Sequence, residues 1–183
     1  MAYDGGSIVN QGIHDIDLLL GLTPTITGVY ARQRTFDRNV EVDTFNSIIL
    51  DHENNGITTI VNTINFHEKD KLAGLLWVGS DGYVELGGIS FNQILECSQK
   101  GIAGEYDEDF SSNVYGNGHQ ALYKKLFALP NYQMRVYGQI LQKNALKTLE
   151  VMEAVYESSH MLRHVDLPSH QHQELLGSDQ QEL

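Results

Sequence analysis

Short segments with strand-like patterns follow one another through the first half of the chain, and this feature most constrains the fold. β-Branched residues are frequent in these segments and alternate with polar ones, which favours strands over helices. His52–Gly56, which contains an Asn-Gly pair, predicts a hairpin loop between two of them. The predicted strands are Ile26–Arg32, Thr44–Asp51, Ile57–Phe66, Leu72–Val78, Tyr83–Leu86 and Ser90–Cys97. Successive strands joined by short turns predict a predominantly antiparallel sheet.

Helical patterns lie on either side of these strands. Ile8–Leu20 has an apolar stripe at helical spacing, and Gly21 followed by Pro24 predicts the end of that helix. His119–Leu129 and Asn144–Leu162 predict two further helices. The predicted apolar stripes are Val9, Ile13, Ile16 and Leu20 in the first helix and Ala145, Leu149, Met152 and Tyr156 in the last. One helix should therefore precede the sheet and two should follow it.

The composition is that of an ordinary globular protein. The 183 residues predict one domain over residues 1–168 and a polar, Gln- and His-rich tail over residues 169–183 that is expected to be flexible. The 24 Asp and Glu against 12 Lys and Arg give a net charge of -12, which argues against nucleic acid or an anionic membrane as the main partner. No apolar run approaches the ~20 residues that a membrane-spanning helix needs.

The single cysteine, Cys97, cannot form an internal disulfide, which favours a reducing compartment. No basic segment followed by an apolar run begins the chain, so no secretory signal is visible and we expect a cytoplasmic protein. The chain opens on the Gly5-Gly6 turn with no strand before it. This start indicates a chain that begins in the middle of a larger protein.

The first predicted helix carries the polar cluster that is best suited to chemistry. At ~100° per residue, Asn10, His14 and Asp17 fall within about 60° of one another, at the edge of the apolar stripe. An imidazole can pass a proton at neutral pH, and the neighbouring amide and carboxylate can orient it. Spacing alone also fits a surface pair of His14 and Asp17 worth a few tenths of a kcal/mol.

The segment that contains this cluster resembles a known signature. Gly5-Gly6-Ser7-Ile8-Val9-Asn10-Gln11-Gly12-Ile13-His14-Asp15-Ile16-Asp17 is similar to the third motif of the glucose-fructose oxidoreductase, inositol dehydrogenase and MocA (Gfo/Idh/MocA) family. The strand with Val42-Asp43, the turn at residues 79–82, the helix at residues 150–159 and the segment at residues 165–167 follow in the order of that family. The Asn-Gln-Gly-Ile-His form resembles members that oxidise sugar nucleotides.

This resemblance implies an α+β fold, an open and predominantly antiparallel β-sheet with helices packed on one face. Such a fold is the glyceraldehyde-3-phosphate dehydrogenase-like C-terminal domain of an NAD(P)-dependent sugar oxidoreductase. The N-terminal Rossmann domain would be missing, because the sequence contains neither G-x-G-x-x-G nor the Glu-Lys-Pro motif of the family. The chain alone should therefore be inactive. The free face of the sheet would serve for homo-oligomer contacts.

The resemblance also implies roles for the cluster. His14 would transfer the proton while a hydride moves between a sugar or nucleotide-sugar carbon and the nicotinamide of NAD or NADP. Asn10 would contact the reacting hydroxyl, and Asp17 would support the helix. An amide stands at residue 10, where many members have aspartate, so Asn10 can orient but cannot act as a base. The alternative is a non-catalytic module that uses the sheet for binding or oligomerisation.

Three further histidine groups are candidates for a site. His67 follows a predicted strand, and His119 begins a predicted helix; either would contact substrate if it faced the same cleft. His170 and His172 have metal-ligand spacing but no third ligand nearby, so we expect no metal site. A histidine-based metal module remains the least favoured alternative.

Overall fold

The computed structural model describes residues 5–36, 39–65, 73–88, 91–100 and 116–168. The chain divides into two compact units, one formed by residues 1–65 with 136–183 and the other by residues 66–135. A π-helical segment, Ile8–Gly12, comes first. It is followed by α1 (Ile13–Leu22), β1 (Ile26–Arg34), β2 (Phe45–His52), β3 (Ile57–Thr63), β4 (Leu75–Gly79), β5 (Gly82–Gly87), β6 (Gln93–Cys97), α2 (Gly118–Ala128), α3 (Asn131–Met161) and β7 (Val165–Asp166).

The first unit is built on a four-stranded antiparallel sheet in the order β3-β2-β1-β7. Alternate residues of the three long strands meet on one face, where Ala31 lies opposite Ile48 and Ile48 lies opposite Ile60. These side chains are buried together with apolar residues of α1 and α3. The helical contribution to this core comes from Ile16, Leu19, Val151, Met152 and Val155. Each fully buried side chain of this size contributes about 1.5–3 kcal/mol.

The C-terminal part of α3 closes the open edge of β1. β7 pairs only with Gly28 and Val29. Beyond it, the backbone N–H groups of Ala31 and Gln33 donate to Ser158 Oγ and Ser159 Oγ, each at 2.9 Å. A buried N–H group without an acceptor is costly, so these two hydroxyls complete the hydrogen bonding of the strand.

The second unit contains a three-stranded antiparallel sheet in the order β4-β5-β6, together with α2. β4 ends at Gly79 and β5 begins at Gly82, at the tight turn that the sequence predicts. The α+β class and the antiparallel pairing are thus confirmed, and each predicted strand has a counterpart among the described strands, which form two sheets. Phe66, Leu72 and Ser90, at the ends of three predicted strands, lie outside the described residues. Within the described residues, no helix is both long and apolar enough to cross a membrane.

The last helix differs from its predicted form at the N-terminal end and in its buried face. α3 begins at Asn131, whereas the pattern predicts a start at Asn144. Its first turns are largely exposed, and the apolar residues that they contain, such as Val136, Ile140 and Leu141, do not pack in the core. Farther along, Met152 and Tyr156 are buried as predicted, but Ala145 and Leu149 are exposed and Thr148 is buried instead.

Candidate functional site

A glycine turn positions the helix that carries the predicted site. Gly5 and Gly6 have φ angles of +79° and +83°, a region that side chains with a Cβ rarely adopt. A Cβ on Gly6 would also collide with Asp43 Oδ1 and would lie 3.0 Å from the hydroxyl of Tyr156. The turn therefore needs glycine at residue 6 for conformation and for space.

Asp43 lies beneath this turn, and its carboxylate is 2% exposed. Oδ2 accepts hydrogen bonds from Ser7 Oγ at 2.8 Å and from the backbone N–H of Ile8 at 3.1 Å. Oδ1 lies 2.9 Å from the hydroxyl of Tyr156, which is also 2.8 Å from the carbonyl oxygen of Gly5. The backbone carbonyl of Asp43 accepts from the N–H of Ser7 at 3.1 Å. Side chain and main chain of one residue thus hold the start of the helix.

A row of amides continues this buried network across the sheet. Gln33, Asn46 and Asn62 lie opposite one another on β1, β2 and β3. Gln33 Nε2 donates to Asn46 Oδ1 at 2.7 Å, which turns Asn46 Nδ2 towards Asp43 Oδ2, also at 2.7 Å. Because Asp43 is the acceptor for three donors on Oδ2, the orientation of every group around it is specified.

The helix turns a different face to the core from the one predicted. Its buried residues are Ile8, Gly12, Ile16 and Leu19, whereas Val9, Ile13 and Leu20 are only partly buried. This is a rotation of roughly a fifth of a turn from the predicted stripe. The first five residues are π-helical, and a π-helical turn is frequently found at functional sites. The polar cluster consequently lies opposite the buried side and not at its edge.

The structure brings Asn10, His14 and Asp17 onto one exposed face of the π-helical segment and α1. Asn10 Oδ1 accepts a hydrogen bond from Gln11 Nε2 at 2.7 Å. Asp17 Oδ1 accepts from Thr148 Oγ1 at 2.9 Å, and this bond joins α1 to α3. The imidazole of His14 makes no hydrogen bond to the described residues. An amide and an imidazole are therefore presented outwards from a helix that is held at both ends.

The pKa of the Asp15 carboxyl group is affected both by burial and by the adjacent His14. Asp15 is partly buried between the core and the exposed face. Burial raises the pKa of the Asp15 carboxyl above its ordinary value, and the adjacent His14 opposes that shift. Asp15 is thus the acidic group of this helix that folding disfavours in its charged form.

Of the other candidate histidines, His119 is the one that the structure describes. His119 lies exposed in the first turn of α2, in the second unit. His67, His170 and His172 lie outside the described residues. In the described parts of the chain, no group of three or more His, Cys, Asp or Glu side chains is arranged to hold a metal ion.

Sequence reasoning assigns no role in the site to three residues that lie around it, Asp43, Asn46 and Tyr156. Asp43 stands just before a strand, and Asn46 occupies an inward-facing position of that strand. A polar residue at an inward position is a signal for a buried hydrogen-bonded network. The partners of Asp43 in residues 5–8 and in α3 are 35 or more residues away along the chain, and no sequence pattern marks them as its partners.

Comparison with known proteins supports the family resemblance of the motif in this turn and helix. The family model described as the GFO/IDH/MocA C-terminal domain matches residues 1–85. None of the curated protein sequences matches this chain significantly.

Several solved structures share the fold. The WlbA dehydrogenase from Bordetella pertussis, in complex with NADH and UDP-GlcNAcA, is 22% identical with a TM-score of 0.63, over 90% of this chain and 48% of that one. The aldose-aldose oxidoreductase from Caulobacter crescentus is 19% identical with a TM-score of 0.57, over 89% and 48%. A levoglucosan dehydrogenase in complex with NADH and levoglucosan is 15% identical with a TM-score of 0.59, over 90% and 51%.

The chain therefore spans about half the length of these dehydrogenases and oxidoreductases. The match to residues 1–85 includes the whole Gly5–Asp17 motif, Asp43 with its hydrogen-bond partners other than Tyr156, and the first three strands. The resemblance predicted from that motif is confirmed: residues 1–85 of this chain match the model of the GFO/IDH/MocA C-terminal domain, and the solved structures that share its fold are dehydrogenases and oxidoreductases.

Proposed function

We propose that this chain is the substrate-side domain of an NAD(P)-dependent oxidoreductase that acts on a sugar or a sugar nucleotide. The observation that carries the proposal is the exposed pair of Asn10 and His14, on a helix whose first turn is fixed from below by Asp43. A proton-transfer group must be accessible to substrate and yet held in place, and this face meets both requirements.

The cofactor of the proposed reaction is NAD or NADP. The WlbA and levoglucosan dehydrogenases are complexes with NADH, which supports this choice. The residues of this chain suit the reacting end of such a complex, because they offer an imidazole and an amide. They do not suit the nucleotide, since the sequence has no G-x-G-x-x-G loop to bind a pyrophosphate. The nicotinamide supplies hydride transfer, and a separate nucleotide-binding domain would hold it.

In this proposal, His14 takes the proton of the hydroxyl group whose carbon is oxidised, so that a carbonyl group forms. Asn10 donates a hydrogen bond from its Nδ2 to that hydroxyl oxygen and sets its direction. Asp17 is not needed at the substrate, because its Oδ1 accepts from Thr148 and ties α1 to α3. The roles are divided between one group that moves a proton and two that hold geometry.

The substrate class follows from chemistry that the similar enzymes share. WlbA is a complex with UDP-GlcNAcA, and the levoglucosan dehydrogenase is a complex with levoglucosan. Both ligands carry a ring of secondary hydroxyl groups. Secondary alcohols of this kind are the groups that an imidazole base and a hydride acceptor oxidise together, and we propose the sugar nucleotide first because of the Asn10–His14 segment.

The test uses the protein expressed from its complete reading frame, with NAD and either UDP-GlcNAcA or levoglucosan, and follows the absorbance of NADH. We expect turnover on one of them and a fall in kcat of about 10²–10⁴-fold for His14→Ala. His160→Ala is the control, because His160 is an exposed histidine of α3 in the same unit. Equal kcat values for His14→Ala and the wild type would remove His14 from the reaction.

A second function, oligomerisation through the sheet, is favoured by the outward face of the first unit. Ile49, Ile57 and Val61 on that face are 39%, 70% and 62% exposed. Large exposed apolar groups in a row are typical of an interface. We expect Val61→Lys to lower the mass measured by light scattering, with Thr59→Lys on the same strand face as a milder change. An unchanged mass, or a wild type that is monomeric, contradicts this role.

A further inference from the structure

The Asp43 carboxylate has no cationic partner among the described residues, although it is almost fully buried. All of its contacts are to neutral donors, and two of them come from Ser7 and Ile8, the residues that begin the helix. A third bond joins the N–H of Ser7 to the backbone carbonyl of Asp43. Three hydrogen bonds to two successive residues fix the position of a helix turn and also its rotation about the helix axis.

We propose that Asp43 is a positioning residue for the reaction: it sets the rotation of the first turns of the helical segment, from Ile8 to His14, and so the direction in which Asn10 and His14 point. This inference rests on the proposed function. It extends that function to a buried residue, on the strand side of the unit, that contacts no substrate.

The geometry makes this control effective. Side-chain heads lie ~5–6 Å from a helix axis, so a rotation of ~10° moves them by ~1 Å. A misplacement of ~1 Å can lower a rate about 10²-fold. At the other end of the segment, Leu19 is buried and Asp17 is bonded to Thr148, so that end stays in place when the first turn is released.

Replacement by asparagine should preserve this control. The amide oxygen of Asn takes the place of Oδ2 and still accepts from Ser7 and Ile8. The amide nitrogen faces Tyr156, whose hydroxyl accepts from it and donates to the carbonyl of Gly5, 2.8 Å away. Replacement by alanine removes every acceptor of the side chain. A comparison of the two variants therefore shows whether the side-chain hydrogen bonds of residue 43 are what controls the helix.

The experiment compares Asp43→Ala, Asp43→Asn and Ser158→Ala in the protein from the complete reading frame, with NAD and UDP-GlcNAcA as probes. Ser158→Ala is the matched control: it removes a buried acceptor of a backbone N–H on β1, and Ser158 Oγ makes no hydrogen bond to residues 8–22 in the described parts of the chain. We expect kcat to fall about 100-fold in Asp43→Ala, with KM for NAD within threefold, and to recover to within fivefold of the wild type in Asp43→Asn. Ser158→Ala should keep kcat within twofold.

Hydrogen exchange by mass spectrometry gives a readout that does not need turnover. In Asp43→Ala, exchange should rise in peptides from residues 5–14 and stay unchanged in β2 and β3. Exchange that rises throughout the unit, or kcat values that fall equally in Asp43→Ala and Ser158→Ala, overturns the positioning role. Lack of wild-type turnover on both UDP-GlcNAcA and levoglucosan overturns the proposed function, whereas the exchange pattern still decides whether Asp43 controls the helix.

Ser7→Ala provides the comparison if Asp43→Ala does not fold. It removes one of the three bonds to the first turn and leaves the carboxylate in place. A fall in kcat of about fivefold with local exchange in residues 5–14 supports the inference. A kcat within twofold of the wild type, with unchanged exchange in that segment, contradicts it.

Discussion

The two sides of the first helical segment differ in almost every physical respect. On the inner side, Ser7, Asp43 and Tyr156 are buried, and each has a specified hydrogen-bond partner. On the outer side, Asn10 and His14 are exposed and make few contacts with the rest of the unit. The inner side fixes the position of the segment, and the outer side presents the groups suited to chemistry. Stability should therefore depend on the inner side, whereas activity should depend on the outer side and on the inner groups that position it.

This contrast also explains why the glycine turn and the histidine occur in one short motif. The turn fixes the helix only if Gly6 leaves room for the Asp43 carboxylate. The helix in turn presents Asn10 and His14 two and six residues after Ile8. The motif thus joins a structural requirement at its start to a chemical one at its end.

The largest expected effect is that of Gly6→Ala on the inner side. The new Cβ would meet Asp43 and Tyr156, and φ of +83° would strain any residue other than glycine. We expect a loss of about 3 kcal/mol in the free energy of unfolding, measured by urea denaturation.

Gly21→Ala is the matched control for that change, because Gly21 lies in α1 with nothing within 4 Å of its would-be Cβ. Alanine there should leave stability unchanged or raise it by up to about 1 kcal/mol. Similar losses in the two variants would mean that the turn is no more constrained than an ordinary helical glycine.

The smallest expected effect concerns Asp15, between the two sides. Because burial raises its folded-state pKa above the ordinary value, the charged carboxylate opposes folding at every pH above both values. That penalty disappears as the pH falls below the ordinary pKa. Asp15→Asn should therefore be more stable than the wild type at pH 7, by the order of 0.5 kcal/mol, and equal to it near pH 3.

The measurement is Tm across this pH range, with Asp81→Asn in an exposed turn as the control that should change nothing. A Tm for Asp15→Asn that is below the wild type at pH 7 contradicts the direction of the shift. A gain that persists unchanged at pH 3 would show that it does not arise from the ionisation of residue 15.

The sequence was informative wherever a pattern is local. The strands and the turn at Gly79–Gly82 follow from alternation and turn residues, and the Gly5–Asp17 motif predicts the resemblance that the family model supports over residues 1–85. The Asp43 network is not predicted because its bonds to Ile8 and to Tyr156 join residues that are 35 and 113 positions apart. The buried face of the helix was misplaced because Gly12, with no side chain to mark it, is one of the buried positions.

The early start of α3 shows the same limit in another form. Its first turns are exposed although they contain apolar residues such as Val136 and Ile140, and the predicted helix covers only the later turns, part of which pack in the core. Thr148 is buried there because it donates to Asp17 on α1, a tertiary contact that overrides hydrophobic preference. Local periodicity finds helices that pack by apolar stripes and misses those held by such contacts.

The most direct test of the separation between the two sides measures Tm and kcat on the same preparations of His14→Ala and Gly6→Ala, from the complete reading frame. The account predicts that His14→Ala keeps the Tm of the wild type and loses nearly all kcat, whereas Gly6→Ala has a Tm several degrees lower. If His14→Ala lowers Tm as much as Gly6→Ala does and keeps its kcat, the exposed face is structural and the assignment of chemistry to it is wrong.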